Sequence, residues 1–269
     1  MFISDKICFV EFGKTGCSFI REIFSKKIKD GVLTKIHDPI TDELLLSNKI
    51  KVGSIRNPYD WYISLWSFGC LMQNRDPLFS NLTKRKLNPK RIINIKGNYK
   101  EKVHFLFDQF RKDINFNKEL YSDPYNTDNF KNWIKLLFDN KKKNYIGEHY
   151  SISNTSKFIG YMTFHYLIRF TNKNFHHELF DKSLKSYDDI KRFCVKNNYI
   201  DNFIVFEKLN ESLVNLFNLI DLNVSEEDLI KEKPVNKSKR LPNINEYFDA
   251  ETKEFVKKYD ALIFEMHNY

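Results

Sequence analysis

Phe9-Val-Glu-Phe-Gly-Lys-Thr-Gly-Cys-Ser18 and Gly53-Ser-Ile-Arg-Asn-Pro-Tyr-Asp-Trp-Tyr-Ile-Ser64 carry most of what this sequence says about its fold. Each reads as an apolar strand running into a helix N-terminus, with basic and hydroxyl side chains at the junction. In the first stretch, glycines let the backbone approach a phosphate closely, and the following helix aims free N–H groups at it. Lys14 adds a point charge, while Thr15 and Ser18 add hydroxyl donors. In the second, Arg56 leaves the strand just before Asn57, which caps a helix with Pro58 at its first position and Asp60 in its first turn. Ser64 lies one turn after Asp60, on the face away from the apolar stripe of Tyr59, Tyr62, Ile63 and Trp66. Arginine grips phosphate bidentately and serine adds a hydroxyl bond. One such junction is a common anion site; two, about one βαβ unit apart, suggest a single ligand carrying phosphate at both ends.

Working outward, Lys6 to Phe12 reads as a buried strand, Gly13 to Cys17 as a tight loop and Ser18 to Lys29 as a helix. Short strands are expected at Val32 to Ile36 and Lys49 to Ile55, separated by a helical turn over Thr41 to Ser47. This alternation predicts an α/β fold with a parallel sheet and crossover helices. Gln73 to Asn129 is polar, basic and Asn-rich, with an amphipathic helix near Val103 to Ile114. The region from about 73 to 150 therefore reads as a variable helical insertion within a single domain spanning 1–269. Helices are expected at Phe130 to Phe138, Tyr161 to Phe170, Asp188 to Asn197 and Leu213 to Ile220, with a strand at Asn202 to Phe206 ended by Glu207. After a basic loop, Lys233 to Arg240, one final helix starts at Asp249 and carries Phe255, Val256, Tyr259, Leu262, Ile263 and Met266 on one face.

The chain has 269 residues, 42% hydrophobic and 16% aromatic, enough for a packed core without covalent staples. Heavy use of Phe, Ile, Lys and Asn points to A- and T-rich codons, which discounts individual lysines as functional signals. The net charge of +9 suits an anionic ligand or an acidic acceptor. Nucleic acid is disfavoured, since Lys84-Arg-Lys86, Lys90-Arg91 and Lys141-Lys-Lys143 accompany no groove-reading helix pattern and read as solvated faces. Cys8, Cys17, Cys70 and Cys194 form no CxxC and no ligand-like spacing, so no metal site and a reducing, cytoplasmic setting are expected. A strand beginning near Lys6 leaves no room for a signal peptide, and Phe158 to Phe170 is too short for a bilayer and contains His165 and Arg169. No transmembrane segment is expected, and the oligomeric state is open.

The loop is not a Walker A motif, which would place a glycine where this chain has Cys8 in mid-strand. It resembles instead the 5′-phosphosulfate loop of sulfotransferases, and Ile55-Arg-Asn-Pro-Tyr-Asp-Trp-Tyr-Ile-Ser64 resembles their 3′-phosphate motif. The likeness is closest to the carbohydrate-type sulfotransferases. His37, before Asp38-Pro39, falls where those proteins often carry a histidine between the two motifs. Tyr199 to Leu209 resembles their late strand ending in Glu-x-Leu, and Asn236 through Arg240 to Asp249-Ala-Glu-Thr252 and Tyr269 resembles their C-terminus. Departures are Gly13 for a usual proline, Glu11 for a frequent histidine and Cys17-Ser18 for Gly-Thr.

The resemblance implies a P-loop-like three-layer sandwich with a central, mostly parallel sheet flanked by helices. It implies transfer of a sulfuryl group from 3′-phosphoadenosine 5′-phosphosulfate to a hydroxyl or amine of a carbohydrate or glycoconjugate, with no metal in the chemical step. Lys14 would then contact the bridging oxygen, Thr15, Gly16, Cys17 and Ser18 the 5′-phosphate, and Arg56 and Ser64 the 3′-phosphate, with Lys239 or Arg240 closing over the nucleotide. A base near neutrality suits an attacking hydroxyl; His37 is the candidate and Glu11 its rival. His104, His149, His165, His267 and the pair His176-His177 fit no scheme, and Glu207 is expected to fix backbone or a basic neighbour rather than perform chemistry. Two other readings stand beside this one: a nucleotide-dependent phosphotransferase of kinase type, and a non-catalytic nucleotide-binding protein of the same fold.

Overall fold

A computed structural model of the chain describes residues 1–87, 99–172, 183–232 and 238–269. Lys90-Arg91, His176-His177 and the 233–237 part of the basic tail loop, with Asn236, lie outside the described residues. Five strands form one sheet: β1 (Phe2–Ile3), β2 (Ile7–Phe9), β3 (Val32–Leu33), β4 (Ile50–Ile55) and β5 (Asn202–Val205). The described helices begin with α1 (Cys17–Lys27), α2 (Asp42–Leu46), α3 (Pro58–Leu71), α4 (Pro77–Thr83), α5 (Tyr99–Arg111), α6 (Ile114–Glu119) and α7 (Thr127–Phe138). They continue with α8 (Glu148–Ile152), α9 (Tyr161–Phe170), α10 (Tyr187–Asn197), α11 (Leu209–Leu219), α12 (Glu226–Ile230), α13 (Ala250–Tyr259) and α14 (Ala261–His267).

The α/β class expected from the sequence is present, but the sheet is mixed rather than mostly parallel. Strand order is β3-β1-β2-β4-β5. β2 pairs in parallel with β4, and β4 with β5, while β1 runs antiparallel to both β2 and β3. The antiparallel half arises because Ser4 to Lys6 turns the chain back tightly, with the Ser4 amide bonded to the Ile7 carbonyl at 2.9 Å. The strand expected at Val32 to Ile36 is only Val32–Leu33, and it pairs antiparallel with β1 at the sheet edge instead of joining a parallel sheet.

The chain divides into two compact units, each built from separate segments: Met1–Asn57, His165–Lys173 and Cys194–Lys237 in the first; Pro58–Phe164, Asn174–Phe193 and Ser238–Tyr269 in the second. In the first unit, alternation along the strands sends Ile7, Phe9, Val52 and Ile204 to one face, against Ile20, Ile23 and Phe24 of α1 and Leu213, Leu216 and Phe217 of α11. Phe24 is edge-on to Phe9 and Phe217 at ring separations of 5.4 and 6.0 Å; each such fully buried ring stabilises the fold by about 2 kcal/mol. The other face carries Phe12, Phe203, Tyr166 and Phe170, with Phe12 and Phe170 at 5.6 Å. A β-carbon at Gly53 would sit 2.9 Å from the Phe203 ring and 3.1 Å from Phe170, so only glycine lets β4 lie flat under these rings.

The second unit is built on α3. The sequence predicts an amphipathic helix there, but every residue from Asp60 to Ser67 is buried, because rings close round it. Trp66 meets Phe130 and Tyr247, and Tyr62 meets Trp133, while the Trp66 indole donates to the Leu120 carbonyl at 2.8 Å. The single final helix expected from the sequence is two, α13 and α14. The break is at Asp260, whose buried carboxylate accepts from Tyr62 Oη at 2.7 Å and from the Thr163 amide and hydroxyl at 2.8 and 2.7 Å. Among the described residues no helix is long and apolar enough to cross a membrane, and the four cysteines are free thiols.

Candidate functional site

In the first unit the end of β2 leads through Val10 to Phe12 into the Gly13–Gly16 loop, and α1 starts one residue earlier than expected, at Cys17. Two left-handed residues shape the turn, Lys14 at φ 70° and Gly16 at φ 84°. A β-carbon at Gly16 would also stand 3.0 Å from the Phe206 ring, so glycine is needed there for both conformation and space. Thr15 is fully buried; its hydroxyl lies 2.6 Å from the Phe12 carbonyl and 2.6 Å from Ser54 Oγ on β4. Cys17 Sγ reaches the Phe12 carbonyl at 2.5 Å, and burial holds this thiol above its usual pKa, so it stays protonated. Of the side chains assigned to a phosphate, Thr15 and Cys17 therefore hold the loop, and the Ser18 hydroxyl is exposed.

The start of α1 has no capping side chain and no acid in its first turn. Its first N–H groups have no acceptor within the helix, and the helix dipole adds partial positive charge at the same end. By contrast, α13 begins with a reciprocal capping box between Asp249 and Thr252.

Arg56, 5% exposed, joins the two sequence junctions: it donates to the Lys14 carbonyl at 3.0 Å and stacks 3.9 Å above the centre of the Phe206 ring. Glu207 accepts from the Asn57 amide at 2.7 Å, the backbone-fixing role expected of it.

His37 lies beside this loop, its Cε1 3.9 Å from where a Gly13 β-carbon would be. It too is left-handed, with φ 60°. The other described non-glycine residues with positive φ, Asp221 and Asn268, close the ends of helices, a role that accounts for them. Lys14 and His37 have no such role, and each carries about 1 kcal/mol or more of backbone strain. Burial lowers the His37 pKa; Arg169 pushes it further down and Glu11 opposes. The imidazole is thus neutral, and able to accept a proton, at neutral pH.

Glu11, the rival base, is buried and committed. It pairs with Arg21, with the Met1 amino group at 3.2 Å and with the His37 amide at 2.6 Å. Burial raises its pKa, but the His37 amide and the Arg21 guanidinium outweigh that and hold it below the usual glutamate value. It is a carboxylate with its oxygens occupied, poorly suited to take a substrate proton.

In the second unit Ser64, Lys239 and Arg240 come together. Asp60, Ser64 and Ser67 share one face of α3 at helical spacing. Arg240 pairs with Asp60, Ser64 Oγ lies 3.3 Å from Ser238 Oγ, and Ser67 donates to the Lys239 carbonyl at 2.8 Å. This polar stripe on a buried helix binds the 238–240 segment along its length.

Sequence reasoning did not single out Arg169, Phe206, Arg21 or Ser54. Arg169 had a signal, as a lone cation inside the apolar run Phe158 to Phe170; the others had none. No family model, curated protein or solved structure matches this chain.

Proposed function

We propose that the chain is a sulfotransferase that moves a sulfuryl group from 3′-phosphoadenosine 5′-phosphosulfate to a hydroxyl or amine of a carbohydrate or glycoconjugate, on a P-loop-like three-layer fold. The observation that carries it is the uncapped start of α1 behind the Lys14 turn, with a neutral His37 beside it. Together these supply an anion-binding helix end, a cation and a proton acceptor within one loop cluster.

On this reading the 5′-phosphate takes the α1 N–H groups and the Ser18 hydroxyl, with Lys14 towards the bridging oxygen. The acceptor oxygen attacks sulfur in line. The new O–S bond forms as the bond from sulfur to the bridging oxygen breaks, and its electron pair leaves on the 5′-phosphate. Lys14 stabilises that developing charge, and His37 takes the acceptor proton. Nδ1 of His37 is buried towards Glu11, which leaves Nε2 for the proton. Arg56 serves the 3′-phosphate while its donation to the Lys14 carbonyl couples the two ends. The assignments of Ser64, Lys239 and Arg240 to the nucleotide rest on the resemblance alone.

The test is release of adenosine 3′,5′-bisphosphate from the phosphosulfate donor in the presence of hydroxyl-bearing saccharides. Lys14→Ala and His37→Ala are expected to lose at least a hundredfold in turnover, His37→Ala with bisphosphate affinity retained. Near-normal turnover in both variants would refute the assignment.

A further inference from the structure

His37 is gripped on both sides of its own α-carbon. Its amide donates to Glu11 Oε2 at 2.6 Å, and its carbonyl accepts from Arg169 Nη1 at 2.7 Å. A left-handed residue with a β-carbon persists only where its surroundings over-determine it, and these two bonds do so. Each grip is itself anchored. Glu11 is fixed by Arg21, whose second nitrogen also donates to the Thr34 carbonyl at 3.1 Å, and the Arg169 carbonyl accepts from the Tyr199 hydroxyl. The imidazole Nδ1 is buried without a hydrogen-bond partner, 3.6 Å from the Glu11 oxygen that receives the amide. That is too long for a hydrogen bond, but the nearby negative charge favours the proton on Nδ1 and leaves Nε2 as the acceptor.

We infer that Glu11 and Arg169 are positioning residues that clamp the His37 backbone and set its imidazole as a proton acceptor, an inference that rests on His37 being the base. The charges facing the imidazole are Glu11 from beyond β2, Arg169 from α9 and the Met1 amino group, with Arg21 of α1 behind Glu11 and Asp38 facing Arg169. Arg169 and Glu11 act on the ring with opposite sign, and this yields a signed test.

The His37 titration is followed by the NMR signal of its ring carbon in ligand-free protein, beside the pH dependence of turnover. Arg169→Met removes a cation, so the His37 titration and the acid limb of the rate profile should both move to higher pH. Glu11→Gln removes an anion, so both should move to lower pH. Each variant should lose at least tenfold in kcat, with the donor KM within about threefold, and Arg169→Lys should restore the titration. Should Glu11→Gln not fold, the two Arg169 variants decide the matter. Loss of turnover in His37→Ala together with an unmoved titration in Arg169→Met overturns the clamp and leaves the base assignment standing. Normal turnover in His37→Ala overturns both.

Discussion

At the scale of single residues, the loop's chemistry depends on backbone angles as much as on side chains. Gly16 holds φ 84° with the Phe206 ring where a β-carbon would go. Gly16→Ala should therefore cost about 1–2 kcal/mol in thermal unfolding and weaken bisphosphate binding about tenfold, since the helix N-terminus shifts with the turn. An unchanged unfolding midpoint would show that the turn relaxes freely. The sequence shows residue types but not commitments. Lys14, His37 and Arg56 were legible as residue types at strand ends, while the roles proposed for them lean on the resemblance, and the bond from Arg56 to the Lys14 carbonyl, 42 residues apart, was not legible. Thr15 was not legible as buried, because its hydroxyl is claimed by Phe12 and Ser54, a partner 39 residues away. Glu11 reads from the sequence as a rival base until Arg21 and the His37 amide are seen against it.

At the scale of elements, two helix starts make a controlled comparison. α13 is capped by Asp249 and Thr252, so Asp249→Ala should destabilise the fold by about 1 kcal/mol, measured by denaturant unfolding. α1 has no such cap. An acid placed there, Ser18→Asp, should raise stability by a few tenths of a kcal/mol through the helix dipole while lowering bisphosphate affinity at least tenfold. Binding that survives this charge would mean the nucleotide does not use the α1 terminus. Tyr161–Phe170 was legible to the residue, whereas Thr127–Phe138, capped by Asn126, was read three residues short at its start. β1 was not expected at all and β3 was read three residues too long: each has two residues, and both side chains of β3 are exposed, so no alternation marks them. The split between α13 and α14 was hidden because apolar periodicity runs through Asp260, and its partners Tyr62 and Thr163 are distant in sequence.

For the molecule as a whole, the two units interleave segments from across the chain, which no local pattern announces. Asp260 and His267 give stability a signed pH dependence. Burial raises Asp260 from 3.8 to about 6, against hydrogen bonds from Thr163 and Tyr62 that pull it down. A carboxyl that holds its proton more tightly when folded favours folding at low pH, and that contribution is lost as pH rises from about 4 to about 6. Burial lowers His267 from 6.5 to about 4, so its contribution is present at neutral pH and lost as pH falls through the same range. The two oppose each other in the intact protein, so a variant is needed to separate them. Between pH 4 and 7, Asp260→Asn should gain on the parent chain by up to about 3 kcal/mol in denaturant unfolding. A parallel pair of curves would show that Asp260 titrates normally in the fold.

The central claim is that the Lys14 turn and the start of α1 hold a nucleotide with phosphates on both its 3′ and 5′ oxygens. Thermal unfolding with adenosine 3′,5′-bisphosphate, set against ATP with Mg²⁺, tests it most directly. At about a hundredfold excess over Kd the bisphosphate should stabilise the fold by about 2.7 kcal/mol, with little effect from ATP. Stabilisation by ATP with Mg²⁺ and none by the bisphosphate would contradict the account.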